Sequence, residues 1–575
     1  MPPAEPSASL SYLCARLGKT SPGVEPTAVM ARPRLLVAAL ALTALLAGSA
    51  AGYPATGAKT RAQATTAPTF VVSGRGWGHG VGMAQWGAYG YAQQGWTYDQ
   101  ILAHYYQGTT LGPAQVSRVR VLLGQGRKRV TVSSDAPFTV RDGIGQLWHV
   151  AEGPHAFGPG LRIKTTEVEQ PQQLPGPLLF QPGSLALRLD GRPYRGQFQV
   201  SVANGALMVV NSVGLEGYLF GVVPSEMPHT WLPEALKAQA VAARSYALAV
   251  RKTGSWFDLY PDTRSQVYRG IAGEKPSATT AVQDTAGEVV LYGGRVATTY
   301  FFSSSGGRTS AASEVWPNSP QIPYLVSVDD PYDTISPHHR WGPFVVAAKR
   351  LKRVLRARGR LVDVRTATGP SGRVRTVTVV GSQGDSSVTG ADARRALRLR
   401  STWFRIGVLS LAPPQAPVTF GTQVVLSGVA RSLPSVKLEQ RQAGSAWQAV
   451  GPVAPSGDGT VSVSARPRAP TDYRLASGSA RSTVAHVQVS PLVRFYGLRD
   501  STSLRGYARP LFPGASVSVQ RLQGDSWTTV VRATIGPNGD FEASLTLSPG
   551  EYRARLAPGR GFVPGVSPTL RVAPA

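Results

Sequence analysis

The chain has 575 residues, too many for one ordinary core, so two to four domains are expected. Its 60 Lys and Arg face 32 Asp and Glu, a net charge of +28 that suits an anionic partner: nucleic acid, an anionic lipid surface or an acidic cell-wall polymer. The one cysteine, Cys14, excludes a disulfide framework and a cysteine-based zinc site from any mature form that lacks the leader.

The leader points to export. Arg32 and Arg34 precede a short apolar run, Leu35 to Ala47, and small residues follow from Gly48 to Gly52. That order is a signal-peptide pattern, with cleavage expected after Ala51 and Met30 as the natural start. The run is too short to span a bilayer comfortably, and no other segment is long and apolar enough, so the mature chain is expected to have no transmembrane span. Export to the cell wall or medium also removes most of the case for nucleic acid. Residues 1–51 are thus assigned to the leader and 52–68 to a linker.

Phe70 to Gly108 follows, with SGRGWGHGVGMAQWGAYGYAQQG at its centre. Gly74, Gly76, Gly78, Gly80 and Gly82 alternate, which permits turns and close backbone approach. His79, Gln85 and Trp86 stand among them. Neither a dinucleotide-binding G-x-G-x-x-G nor a phosphate loop is present. On residue type alone His79 is equally a hydrogen-bonded histidine in a tight turn. Tyr98 to Tyr106 has the period of a short amphipathic helix with Ile101, Leu102 and Tyr105 inward.

From Val116 to Leu411 the pattern is mainly β with inserted helices. Val119 to Gly124, Lys128 to Ser134 and Ser184 to Gly191 alternate as strands do. Tyr218 to Val223 is a strand-like apolar run stopped by Pro224, and the carboxylate Glu226 stands just beyond. Pro233 occupies the first turn of a helix over Glu234 to Val250, with Leu236, Ala240, Ala243 and Ala247 on one face. Lys237 and Arg244, seven apart, share another. Glu226 is therefore expected on a strand-to-helix turn in apolar surroundings, which raise a carboxyl pKa towards neutrality. An acid that only complements the helix dipole remains the alternative. Asp258 and Asp262, the nearest further acids, lie in a polar loop.

Arg264 to Tyr268 reads as a short strand, and Gly293-Gly294 as the turn of a hairpin that delivers the loop Ser303 to Gly307. Pro343 to Arg358 is expected as a basic amphipathic helix with Phe344, Ala347, Ala348, Leu351, Val354 and Leu355 inward and a solvated Lys/Arg face. Val374 to Val380 is a further strand, and Ala393 to Phe404 a closing helix and strand. Pro413 to Ala575 contains an internal repeat in which Trp447 matches Trp527 and Tyr473 matches Tyr552, about 80 residues apart. Two immunoglobulin-like β-sandwiches, 412–491 and 492–575, are expected.

Several of these stretches together resemble the SpoIID/LytB family (stage II sporulation protein D, amidase enhancer). They are GVVPSEMP with EALKAQAVAARSYAL, Gln266-Val267-Tyr268, Ser303 to Gly307, Pro323-Tyr324-Leu325, Leu399-Arg400-Ser401, and GRGWGHGVGMAQWGA with ILAHYYQG. The resemblance covers most of residues 69–411. It implies a SpoIID-like domain of mainly β, α+β class ahead of the two sandwiches. Family members usually carry the GHGVGM segment at the end of the domain, so this order implies a circular permutation. Some members are reported to bind zinc through Cys and His; lacking a cysteine, this mature chain is expected to hold no metal and no other cofactor.

The activity implied is cleavage of peptidoglycan glycan strands by a lytic transglycosylase, with Glu226 as the catalytic acid/base. Lys237, Arg244, Tyr268, His79 and Gln85 are the implied substrate-binding residues. The same resemblance leaves open a non-catalytic enhancer that presents glycan to a cell-wall amidase. A muramidase using two carboxylates is the third reading. If the permuted segment completes the groove, the stretch after Phe404 lies beside Phe70 to Gly74, and His79 faces the same cleft as Glu226.

Overall fold

The computed structural model describes residues 67–318, 320–497 and 503–573, and within them the chain is mainly β. The leader, its cleavage point, Cys14 and the linker up to residue 66 lie outside the described residues. No described helix is long and apolar enough to cross a membrane, which says nothing of strands.

The strands expected from alternation at Val119 to Gly124, Lys128 to Ser134 and Ser184 to Gly191 take their places in two of the sheets. In one, Arg118–Arg127, Ala206–Gly214, Gln197–Ala203, Leu178–Gln181, Phe138–Arg141 and Leu147–Val150 lie in that order. In the other, Val130–Ser134 lies between Leu187–Leu189 and Gly153–Phe157. The helix Pro233–Val250 packs against Gln85–Gln93, Tyr98–Tyr105, Leu215–Glu226 and Pro276–Asp284. Leu236, Ala240, Ala243 and Ala247 are all buried on it, and their small size lets these neighbours come close. The Gly293-Gly294 turn has positive φ at both residues (54° and 74°) and joins Glu288–Tyr292 to Arg295–Val296 as expected.

Three expected elements differ. Residues Leu215–Glu226 form a helix, not a strand and turn. Its buried large side chains, Leu215, Tyr218, Leu219, Val222, Val223 and Glu226, follow a helical 3–4 spacing hidden inside a continuous apolar run, and Gly221 and Ser225 are buried with them. Pro224 falls in the last turn of this helix, which ends two residues later at Glu226. Arg340–Val346 is a strand, and only Ala348–Leu355 is helical. Pairing of Arg340–Val346 with Thr69–Arg75 overrides the helical pattern there and leaves Phe344 exposed. Residues 264–268 are not a strand: a turn and bend at Arg264 and Ser265 lead into irregular chain fixed by side-chain hydrogen bonds.

The N-terminal strand Thr69–Arg75 pairs antiparallel with Phe404–Leu411, from Thr69 opposite Leu409 to Gly74 opposite Phe404. The same sheet continues through Val424–Arg431 and Thr460–Ala465, so it crosses the 411/412 boundary unbroken. The repeat is visible in the packing. Tyr473 and Tyr552 are both buried on strands, Thr471–Ser477 and Gly550–Leu556. The arginine after each tyrosine lies over the matching tryptophan: Arg474 over Trp447 at 3.8 Å, Arg553 over Trp527 at 4.2 Å.

Candidate functional site

Glu226 is the last residue of its helix and is only 2% exposed. One carboxyl oxygen, Oε1, accepts the main-chain N–H of Val267 at 2.9 Å. The other, Oε2, is buried and has no hydrogen-bond partner among the described residues. Burial pushes the pKa up to about 7, against the opposing pull of the Val267 N–H and the Arg269 charge. Such a group holds its proton near neutrality and releases it to a positioned acceptor.

The stretch 266–268 holds this carboxyl. Tyr218 donates its hydroxyl to Gln266 Oε1, the Gln266 amide donates to the Ala243 carbonyl, and Tyr268 donates to Asn211 Oδ1. The Val267 N–H between them is left facing Glu226. Gly221 makes the approach possible: a Cβ there would lie 3.0 Å from the Tyr268 ring and 2.9 Å from the Gly270 carbonyl.

The glycine-rich segment reaches the same place through Gln85. Its Nε2 donates to the main-chain carbonyl of Glu226 (3.0 Å) and to Gln239 Oε1 (3.3 Å). Residues 74–85 are threaded between other elements: Trp77 exchanges main-chain bonds with Ser304, and Gly78 donates to Arg400. Met83–Ala84 pairs with Phe301–Phe302. Trp86 contacts Trp231 (ring centroids 4.7 Å apart), which stacks on Tyr89 at 4.6 Å. The indole N–H groups of Trp86 and Trp231 and the Gln239 amide nitrogen are buried without partners among the described residues. Most buried polar groups in folded proteins are paired. A connected set with three unmatched donors and one unmatched carboxyl oxygen is suited to a ligand rich in hydroxyl and amide groups.

The remaining expected site residues are elsewhere in role. His79 does not orient Glu226. Its ring donates from Nε2 to the Phe301 carbonyl, and Nδ1 accepts the Val81 N–H, so both nitrogens are committed. Burial first, then the Arg394 charge, pushes its pKa down to about 3, and it is neutral. Arg244 is fully buried; it pairs with Glu216 and donates to the carbonyls of Glu288 and Val282. It is a structural cation, because the face it shares with Lys237 packs inward at Arg244. Lys237 is half-buried, with Glu234 at 3.1 Å and Asp284 at 3.4 Å. Tyr268 is buried and acts through Asn211, not as an open ring. Asp258 is held by Arg120 and Asp262 by Arg264, so neither is poised as a second acid.

Sequence reasoning missed Val267 as the group that holds Glu226, and Gln239 and Arg269 as its neighbours. Gln239 lies two residues after Lys237, but nothing in its type marks a polar group kept in a core. Among the described residues no group of three or more His, Cys, Asp or Glu is arranged to hold a metal ion.

Residues 203–292 match the family model described as Stage II sporulation protein. The chain is 33% identical over 228 residues to stage II sporulation protein D of Bacillus subtilis, covering 36% of this chain and 64% of that one. It is 34% identical over 214 residues to stage II sporulation protein D of Bacillus amyloliquefaciens, covering 34% and 60%. With the amidase enhancer of Bacillus subtilis it shares 41% identity over 150 residues, 26% of this chain and 20% of the relative. It thus spans less than two thirds of each of these relatives. The matched model takes in Glu226, its helix and the 266–268 stretch that holds it, so the part of the chain that carries the site is similar to the stage II sporulation protein and amidase enhancer relatives.

Proposed function

We propose that the protein is an exported lytic transglycosylase that cleaves peptidoglycan glycan strands, with Glu226 as its one acid/base. The observation that carries this reading is the Glu226 carboxyl: one oxygen held by Val267, the other unmatched, and the pKa raised to about 7. Protonated Glu226 gives its proton to the glycosidic oxygen as the bond to the anomeric carbon of muramic acid breaks. The 6-hydroxyl of that muramic acid then attacks the anomeric carbon and closes a 1,6-anhydro ring. Its proton passes to the Glu226 carboxylate, which is restored to the acid. No second carboxylate is consumed, because intramolecular attack replaces an activated water. Asp258 and Asp262 are each tied to an arginine, which favours this route over a two-carboxylate muramidase.

A second reading has its own support. Glu226 is almost closed to solvent, so substrate must displace neighbouring side chains to reach it. A protein in which they never move holds glycan without cutting it and presents it to a cell-wall amidase, in keeping with the relative named amidase enhancer. Incubating mature protein with glycan freed of its peptides, then reading chain ends by mass spectrometry, separates the three. Anhydro ends support the transglycosylase, reducing ends the muramidase, and intact strands the enhancer. The same reading makes the chain order a circular permutation, supported by the pairing of Thr69–Arg75 with Phe404–Leu411.

A further inference from the structure

The positive charge of this protein is not spread evenly. Residues 340–405 carry sixteen Lys and Arg against three Asp, a net +13 of the chain's +28 in 66 residues. This segment, closed by Thr69–Arg75 and Phe404–Leu411, has a hydrophobic core of its own that includes Phe70, Leu351, Leu355, Val377, Leu397 and Phe404. The core takes the apolar side chains and puts the charges outside. Fourteen of the sixteen cations are exposed; Arg373 is buried and Arg394 is partly so. Lys349, Arg350, Lys352, Arg353 and Arg356, on or just past the helix Ala348–Leu355, have no acidic partner among the described residues. A second helix, Gly390–Leu397, lies against the first and adds Arg395 and Arg398.

Self-repulsion of this density is a cost, and within the segment only the pairs of Arg365 with Asp363 and Arg395 with Asp392 offset it among the described residues. A second observation points the same way. Both helices end on an arginine in the left-handed conformation, Arg356 (φ 56°) and Arg398 (φ 57°). Glycine is the unstrained residue at such a cap, and a side chain there costs about 1 kcal/mol. A cation beside the helix C-terminus recovers part of that, but the chain twice keeps a charge where a small residue fits better. Between the helices is a cavity of about 400 Å³ lined by Val354, Val388 and Ala396 together with Arg356, Arg395 and Asp392. Apolar floor and guanidinium walls suit a sugar ring carrying an anionic group.

We propose that the 340–405 subdomain is a docking surface for a linear polyanion of the cell envelope, a glycopolymer with phosphate or carboxylate groups. The proposal rests on the exported, wall-directed reading above, but not on Glu226 being catalytic. The surface holds the protein on the wall; the Glu226 site acts on the glycan.

The test measures binding of full-length mature protein to poly(glycerol phosphate) and to polyglucuronate, with neutral dextran and double-stranded DNA as further ligands, over a salt series. Binding to at least one of the two polymers and not to dextran is expected, and which of them binds distinguishes phosphate from carboxylate. The variant K349Q/K352Q/R353Q/R356Q/R395Q should lose at least tenfold in affinity, and its salt slope should fall by about 3.5–4.5 on counterion-release arithmetic. A control of equal charge, R466Q/R468Q/R494Q/R532Q/R560Q, neutralises exposed arginines of the C-terminal modules and should bind within about twofold of the parent. Thermal melts confirm that both variants fold. Equal losses in the two variants, or no binding by the parent, overturn the proposal. Tighter binding to DNA than to both polymers at physiological salt overturns it in favour of a nucleic-acid surface. E226Q should bind like the parent, so loss of glycan cleavage and loss of docking are read separately.

Discussion

Two of the buried carboxylates, Asp333 and Glu226, are treated in opposite ways. Asp333 accepts four hydrogen bonds: from the Ser304 hydroxyl, the main-chain N–H groups of Ser305 and Gly306, and the His339 ring. It fixes the Ser303 to Gly307 loop against Trp77 of the glycine-rich segment. Glu226 accepts one bond and leaves an oxygen unmatched. Four donors converging on one carboxylate fix its position and that of the loop that supplies them. A carboxyl with one oxygen bare in an apolar setting favours its proton. The first arrangement builds structure, and the second keeps a reactive group ready at a stability cost.

The widest test of this contrast is substitution of Glu226. E226Q keeps shape and loses the proton, so glycan cleavage should fall about 10²–10⁴-fold while the fold is retained. Wild-type turnover in E226Q, measured by release of anhydro ends, would sink the assignment of Glu226 as the acid/base. D333A should do the reverse. Four donors lose their acceptor in a buried site, and the melt should show a loss of at least about 3 kcal/mol. R244A belongs with it, since Glu216 would be left without its cation: a loss of about 3–5 kcal/mol with kinetics of the surviving folded fraction little changed. A KM effect in R244A without lost stability would restore it as a substrate-binding residue.

The pH dependence sharpens the same comparison. Folding raises the Glu226 pKa from 4.5 to about 7, so the folded protein binds more protons than the unfolded chain over that range. The stability due to this group is whole below about pH 4.5 and is lost as pH rises through 7. E226Q should therefore gain on the parent by up to roughly 3 kcal/mol between pH 4 and pH 9 in paired denaturation curves. Asp330, beside Asp333 and raised to about 8 by burial and that neighbour, adds a slope of the same sign to both proteins and cancels in the difference. A flat difference would mean that Glu226 is ionised in the folded protein. Cleavage that depends on protonated Glu226 should also decline above about pH 7.

Much of the domain was legible in the chain because its signals are local. Pro233 and the alanine stripe fix one helix, the Gly293-Gly294 turn fixes a hairpin, and the apolar neighbours of Glu226 already implied a raised pKa. What failed was non-local. Tyr218 to Val223 is apolar on every side, so its period was invisible until Pro233–Val250 packed on it. Arg340–Val346 has a helical pattern and becomes a strand because Thr69, 271 residues earlier, starts the edge it pairs with. Lys237 and Arg244 do share a spacing, but spacing does not say which side faces a cleft, and Glu216 claims Arg244. The groups that hold Glu226 are a main-chain N–H and two glutamines, which no motif of charged or metal-binding residues reveals.

The finest test lies in the link between the glycine-rich segment and Glu226. Gln85 comes 141 residues before Glu226 and donates to its main-chain carbonyl, not to its carboxyl. It therefore positions the end of the helix without changing the charge near the proton. Q85L removes both amide bonds and leaves Gln239 Oε1 and the Glu226 carbonyl without this donor. The expected cost is about 1–2 kcal/mol in stability. Cleavage should fall about tenfold through kcat, with KM and the pH midpoint near 7 unchanged, because misplacement of an acid slows the bound complex more than it weakens binding. Q85E separates position from charge: a carboxylate there sets an acceptor against an acceptor and should lose at least as much as Q85L. A Q85L variant that lowers stability yet leaves kcat untouched would reduce the contact to packing. A shift of the pH midpoint in Q85L would show instead that the segment governs the proton itself, and would place it among the groups that tune Glu226.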